Sequence, residues 1–273
     1  MSRIKGCFSQ LKEENKKALI PYIAAGDPNP EITLDLMHAM VDSGADIIEL
    51  GVPFSDPMAD GPVIQKASER ALVYGTSLSD VLEMVKSFRV SNQDTPVVLM
   101  GYLNPIEIMG YQTFARAASE SGVDGVLTVD MPPEEAQTYI PALRSFNLDP
   151  IFLLSPTTTK ERMQIICRQA SGFVYYVSVK GVTGTSALDT DEVARRIKII
   201  KEVTDLPIGV GFGIKNAETA AAIGKVSEAV VVGSALVNLV EQNAHAVNNA
   251  QGNEKIIKEI SRVLVSMRAA LDA

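Results

Sequence analysis

Apolar positions along this 273-residue chain gather in short, β-branched runs separated by longer segments with a helical period. Eight runs stand out, at 18–25, 47–52, 97–102, 125–129, 150–154, 173–179, 208–212 and 229–232. Most are continuous rather than alternating, as in parallel strands that are covered by helices on one side and packed together on the other. Between the first two runs, Leu34, Met37 and Val41 fall at i, i+3 and i+7 after Asp27-Pro28-Asn29-Pro30, with Gly44 as a stop. Thr158 or Thr159 is placed to cap a helix ahead of Phe173, and further helices are expected over 189–202 and 216–224. Eight strand–helix alternations without a linker predict an α/β fold, one (β/α)₈ TIM barrel domain over residues 1–273. The other arrangement such a pattern allows is an open, doubly wound sheet. A helical piece before Ala18 and another over 256–271 read as caps on the barrel.

Two connections are longer than a minimal barrel needs. Residues 53–74 follow the second run, and a Gly-rich segment, 180–190, follows the sixth. Barrels of this kind build their active sites from the loops at the C-terminal ends of the strands, so both insertions point to the functional face.

Composition acts mainly by exclusion. With 25 basic and 33 acidic residues the net charge is −8, a poor basis for binding nucleic acid or an anionic membrane. There are 7 Tyr and 8 Phe but no Trp, which argues against a base-stacking platform. Cys7 and Cys167 stand alone, as reduced thiols in a cytosolic protein would. His38 and His245 are the only histidines, too few for a zinc site, and both read as surface or packing residues; no metal is expected. The first residues lack the apolar core of a signal peptide and no run is long enough to span a bilayer, so the expectation is a soluble, cytoplasmic protein.

The candidate chemistry sits at strand ends. Glu49 lies within the apolar run Asp46-Ile47-Ile48-Glu49-Leu50-Gly51-Val52. A carboxyl group in an apolar barrel interior responds with a raised pKa, which suits it to acid–base work near neutrality; a structural partner cation is the other reading. The block Gly51-Val52-Pro53-Phe54-Ser55-Asp56-Pro57-Met58-Ala59-Asp60-Gly61-Pro62 adds Asp60, either a cap for a helix beginning near Pro62 or a second acid at the same site. Glycines at 181 and 184, at 209, 211 and 213, and at 233 followed by Ser234 come after late strands. There a phosphate can dock on backbone amides at a helix start, although tight turns alone would also use glycine. Lys180 could form a Schiff base with a carbonyl substrate or be a solvated cation. Of Tyr175 and Tyr176, alternation lets only one face the interior.

Across these blocks, together with Pro21–Gly26 followed by Asp27-Pro28, the chain closely resembles the α subunits of tryptophan synthase. The resemblance implies a (β/α)₈ lyase that splits indole-3-glycerol phosphate into indole and glyceraldehyde 3-phosphate by a retro-aldol step, without a metal or organic cofactor of its own. It makes Glu49 the acid–base residue, Asp60 the second catalytic acid, and Tyr175 a tyrosine at the reacting end. Gly184, Gly213, Gly233 and Ser234 would hold the phosphate, while Tyr22, Ile64, Met100, Leu127 and Phe212 would line the indole slot. Thr183 would belong to a loop that closes over the substrate. The resemblance also implies a pyridoxal-phosphate-dependent β subunit in an α₂β₂ complex, contacted through 53–60, including Pro53, Asp56 and Pro57, and through the loops near Asn104 and Pro132. Tyr22 stands where well-known relatives carry Phe, and the stretch around Val179, Lys180 and 185–190 departs from the enteric pattern. Two other readings remain: a Schiff-base phosphosugar aldolase using Lys180, and a barrel that only binds a phosphometabolite or activates a partner.

Overall fold

Strand β1 (Ala18–Ala24) pairs in parallel with β2 (Ile48–Gly51) on one side and with β8 (Ala229–Val232) on the other, so the sheet closes on itself. Around the ring between them run β3 (Val97–Gly101), β4 (Gly125–Thr128), β5 (Asp149–Leu154), β6 (Val174–Val177) and β7 (Ile208–Gly211) in sequence order. All neighbours are parallel. The closure between first and last strands excludes the open, doubly wound arrangement. The computed structural model describes residues 2–178, 190–211, 213–244 and 250–273.

Helices α2 (Pro30–Asp42), α4 (Leu78–Arg89), α6 (Tyr111–Ser121), α7 (Tyr139–Ser145), α8 (Lys160–Gln169), α9 (Thr190–Lys201) and α10 (Ala217–Gly224) lie between successive strands in the chain. Their starts follow local chemistry. Asn29 accepts a hydrogen bond from the Ile32 amide at 3.2 Å ahead of Pro30, and Ser77 with Asp80, and Asn216 with Thr219, form capping boxes. Of the two threonines expected to cap α8, Thr159 does so; Thr158 instead accepts from the Ser155 amide.

Two helices extend the ring. α1 (Arg3–Glu13) pushes Ile4, Phe8 and Leu11 into the N-terminal end of the barrel, where Phe8 meets Phe173 at 5.9 Å between ring centres. Burying side chains of this size contributes about 1.5–3 kcal/mol each. α12 (Ala250–Leu271) packs against α10 and α2 and begins earlier than the pattern over 256–271 suggests. The insertion after β2 resolves into a loop, 53–61, and α3 (Pro62–Leu72), which lies against β1 and against α11 (Ser234–Asn243). The short α5 (Leu103–Met109) after β3 is absent from the sequence expectations. His38 packs at a tilt against Phe88, 4.9 Å between ring centres; His245 lies outside the described residues.

Candidate active site

Alternation along each strand divides the side chains between two environments. Ala18 and Ile20 of β1, Val98 of β3, Leu127 of β4, Ile151 of β5 and Tyr175 of β6 share one cluster inside the barrel, whereas Tyr176 joins the layer between strands and helices. This settles the tyrosine pair: Tyr175 is the inward one. Near the C-terminal ends of the strands the interior turns polar. Glu49 stands opposite Tyr22 in the β1–β2 register, and Tyr22 packs with Ala24, Ala67 and Val237, flanked by Ile64 and Met100.

Two glycines make room for the tyrosine hydroxyls. A Cβ on Gly51 would lie 2.3 Å from the Tyr22 hydroxyl oxygen, and one on Gly211 would lie 2.1 Å from that of Tyr175. Both are closer than any side chain tolerates, so the ring ends rest directly on backbone. Tyr22 therefore bridges the mouth, its hydroxyl over Gly51 and the base of its ring beside Gly233.

Glu49 is 2% exposed and its Oε1 has no hydrogen-bond partner among the described residues. Burial, with the nearby Asp60 charge second, pushes its carboxyl up to about 8. Asp60 sits in the 53–61 loop, half-buried. Burial raises it to about 6, against the lowering effect of a hydrogen bond donated by the Tyr102 hydroxyl. At neutral pH the two acids thus differ in charge, Glu49 protonated and Asp60 ionised, although both come from one βα unit. The negative charges of both also raise the hydroxyls of Tyr22 and Tyr175, after desolvation, well above the usual tyrosine range. Among the described residues Glu49 has no partner cation, so none of them supports the structural reading of that residue. Asp60 is not a cap either: α3 begins at Pro62 with Gly61 in the cap position and no side-chain capping bond.

Tyr102 is the residue that the sequence reasoning missed. It is 3% exposed, its hydroxyl accepts from the Ala59 amide at 3.0 Å, and its ring stacks on Phe54 at 5.2 Å. The signal was present, because Tyr102 continues the inward alternation of Val98 and Met100 beyond the end of β3.

At the other side of the mouth, Gly213 has φ +79°, a backbone state that favours glycine, and Gly233 precedes the first turn of α11. No side chain caps α11, so the amides of Ser234 and Ala235 point outward without a helical acceptor. Leu127 is buried and Met100 half-buried in the mouth. On the rim, Pro53 is buried, Pro57 is half-buried, and Asp56, Asn104 and Pro132 are exposed. Lys180, Thr183, Gly184 and Phe212 lie outside the described residues. Among the described residues no group of three His, Cys, Asp or Glu is arranged for a metal, and no helix is long and apolar enough to cross a membrane. A cavity of about 550 Å³ opens at the opposite end of the barrel, but its Arg3, Lys16 and Arg268 are paired with acids.

Known proteins match the chain along its length. The family model described as tryptophan synthase alpha chain matches residues 8–270. Tryptophan synthase alpha chains of Marinobacter nauticus and Methylococcus capsulatus are each 59% identical, covering 100% of this chain and 99% and 100% of those proteins. The crystal structure of tryptophan synthase subunit alpha from Legionella pneumophila superposes with a TM-score of 0.91 at 45% identity, covering 100% of this chain and 99% of that one. The chain belongs to the tryptophan synthase alpha chain family, the carbon–carbon lyases that cleave indole-3-glycerol phosphate to indole and glyceraldehyde 3-phosphate.

Proposed function

We propose that Glu49 performs both proton transfers of this cleavage and that Asp60 stabilises the charge that develops between them. The observation that carries the reading is the buried Glu49 carboxyl, whose Oε1 has no partner among the described residues; burial raises it to about 8 and the neighbouring Asp60 only to about 6, so the first holds a proton where the second is ionised. Glu49 gives its proton to C3 of the indole, and positive charge appears at the ring nitrogen. The Asp60 carboxylate, held by Tyr102, faces that N–H and interacts more strongly with the charged ring than with the neutral substrate, which lowers the barrier. The Glu49 carboxylate then takes the proton of the hydroxyl next to C3. The carbon–carbon bond breaks, its electron pair restores the aromatic ring, the aldehyde forms, and Glu49 is left protonated for the next turnover.

The remaining assignments follow the same axis. Tyr22, Ile64, Met100 and Leu127 line an apolar slot for the indole, joined by Phe212, and Tyr175 closes the reacting end. Gly213, Gly233 and Ser234, with Gly184, present backbone amides to the phosphate, so no basic patch is needed and the net charge of −8 is no obstacle. Thr183 belongs to the loop that closes over the substrate. We further assign the rim around Pro53, Asp56, Pro57, Asn104 and Pro132 to a β subunit in an α₂β₂ assembly. That subunit supplies the pyridoxal phosphate and receives the indole, in the cytoplasm. Met58 and Ile108, 80% and 81% exposed, supply apolar surface for such a contact.

Purified protein should release indole from indole-3-glycerol phosphate, faster with the β subunit present, and Glu49→Gln should be folded and inactive. A fully active Glu49→Gln variant would overturn the assignment.

A further inference from the structure

Two helices start at the substrate site: α3, two residues after Asp60, and α11, at Ser234 where the phosphate is placed above. They pack on one another, and their contact is charged. From α3, Arg70 makes a two-pronged pair with Asp27, Nε to Oδ1 at 2.6 Å and Nη2 to Oδ2 at 2.9 Å. Its remaining nitrogen, Nη1, lies 3.9 Å from Glu241 of α11, and Lys66, one turn earlier, reaches the same carboxylate at 3.1 Å. Asp27 lies just beyond β1 and is only 2% exposed. One guanidinium therefore touches the segment after β1, belongs to α3, and approaches α11.

A buried ion pair is a poor source of stability, because desolvation consumes most of the attraction. What it supplies is geometry: the planar fork matches the carboxylate in one orientation and so fixes the rotation and axial position of α3. That position is transmitted directly to the acid. Gln65 of α3 donates to the Asp60 carbonyl at 2.8 Å and to the Pro57 carbonyl at 3.4 Å, and no side chain caps the helix to hold it otherwise.

We infer that Arg70, clamped between Asp27 and Glu241, is a positioning residue that sets the distance between the Asp60 carboxylate at one end of the substrate and the phosphate-binding start of α11 at the other. The inference rests on the site assignment proposed above. A misplacement of about 1 Å between two such anchors is enough to cost about 10²-fold in rate, while each anchor still binds its own fragment.

The test compares Arg70→Lys, which keeps the charge and loses the fork, with the double variant Asp27→Asn/Arg70→Gln, which leaves no unpaired buried charge. Turnover of indole-3-glycerol phosphate is measured beside separate inhibition constants for glycerol 3-phosphate and for indole. The expected result for the double variant is a loss in kcat/KM of about 10- to 100-fold with each inhibition constant within about twofold of wild type. Arg70→Lys should fall between, and it carries the test by itself where the double variant does not fold. The inference is overturned if folded variants keep kcat/KM within about twofold, or if the loss simply follows weaker binding of one fragment. A wild-type protein that releases no indole would instead overturn the assigned reaction.

Discussion

The two ends of the barrel use carboxylates in opposite ways. At the N-terminal end an acid placed just before a strand accepts the first amides of the preceding strand: Asp46 takes Leu19 N at 2.7 Å, Asp124 takes Val97 N at 2.9 Å, and Glu228 takes Ile208 N at 3.1 Å. Each also has a cation, Arg268, Arg89 and Lys201 respectively. At the C-terminal end Glu49, as deeply buried as any of them, has neither an amide nor a cation among the described residues, and its Oε1 bonds to none of them. Burial alone does not separate the two uses, since it also lifts Asp46 to about 6 despite its partners. The difference lies in unfilled bonding capacity. A carboxylate whose lone pairs are occupied joins strands, and one left unoccupied is available to a substrate.

The strongest test of this contrast removes one acid from each end. Glu49→Gln should abolish indole release, by about 10³-fold or more, while the protein stays folded by circular dichroism. Asp124→Ala should do the reverse. It strands Arg89, whose side chain is 8% exposed, and the Val97 amide, and should cost about 3–5 kcal/mol in urea denaturation while the folded fraction keeps its specific activity. A catalytic loss in Asp124→Ala as large as in Glu49→Gln would break the distinction.

Smaller effects sharpen it. Asp60→Asn should lower kcat by about 10²- to 10³-fold with little change in unfolding midpoint, measured side by side on one preparation. The folded state holds the Glu49 proton up to about pH 8, whereas an exposed glutamate releases it near pH 4.5. Between those values the folded state binds more protons than the unfolded one, so this residue's contribution to stability falls as pH rises through that window. Glu49→Gln should therefore melt higher than wild type at pH 8 and show no such gain at pH 4. Catalysis should follow a bell in pH, limited below about 6 by protonation of Asp60 and above about 8 by ionisation of Glu49. Tyr102→Phe removes the hydrogen bond that lowers Asp60, so its acid limb alone should move to higher pH; an unmoved limb would detach Tyr102 from Asp60.

Much of the molecule is readable in one dimension. All eight strands follow from their apolar runs, because a parallel strand buried on both faces has to be apolar almost throughout. Glu49 is conspicuous for the same reason: a lone carboxylate in such a run has no inexpensive place to go. Helix starts at Asn29, Thr159 and Asn216 follow from side chains that bond to amides only a few residues away. Asp60 was ambiguous, because a cap and a catalytic acid look alike in the turn before Gly61-Pro62 until the helix is seen to start uncapped.

The sequence by itself thus determined the barrel, and it singled out the long strand-end loops and the buried carboxyl of Glu49, since each is written in local periodicity or in a local violation of it. Only the tertiary structure decided that Glu49 lacks a partner among the described residues, that Tyr102, just past β3, meets Asp60 in the loop after β2, and that Arg70 ties α3 to both Asp27 and Glu241. These depend on side chains brought together across 42 to 175 positions of sequence, as between Tyr102 and Asp60 or Lys66 and Glu241. Contacts of that range leave no periodic trace, because the residues that meet are set by the closure of the sheet and not by their neighbours along the chain.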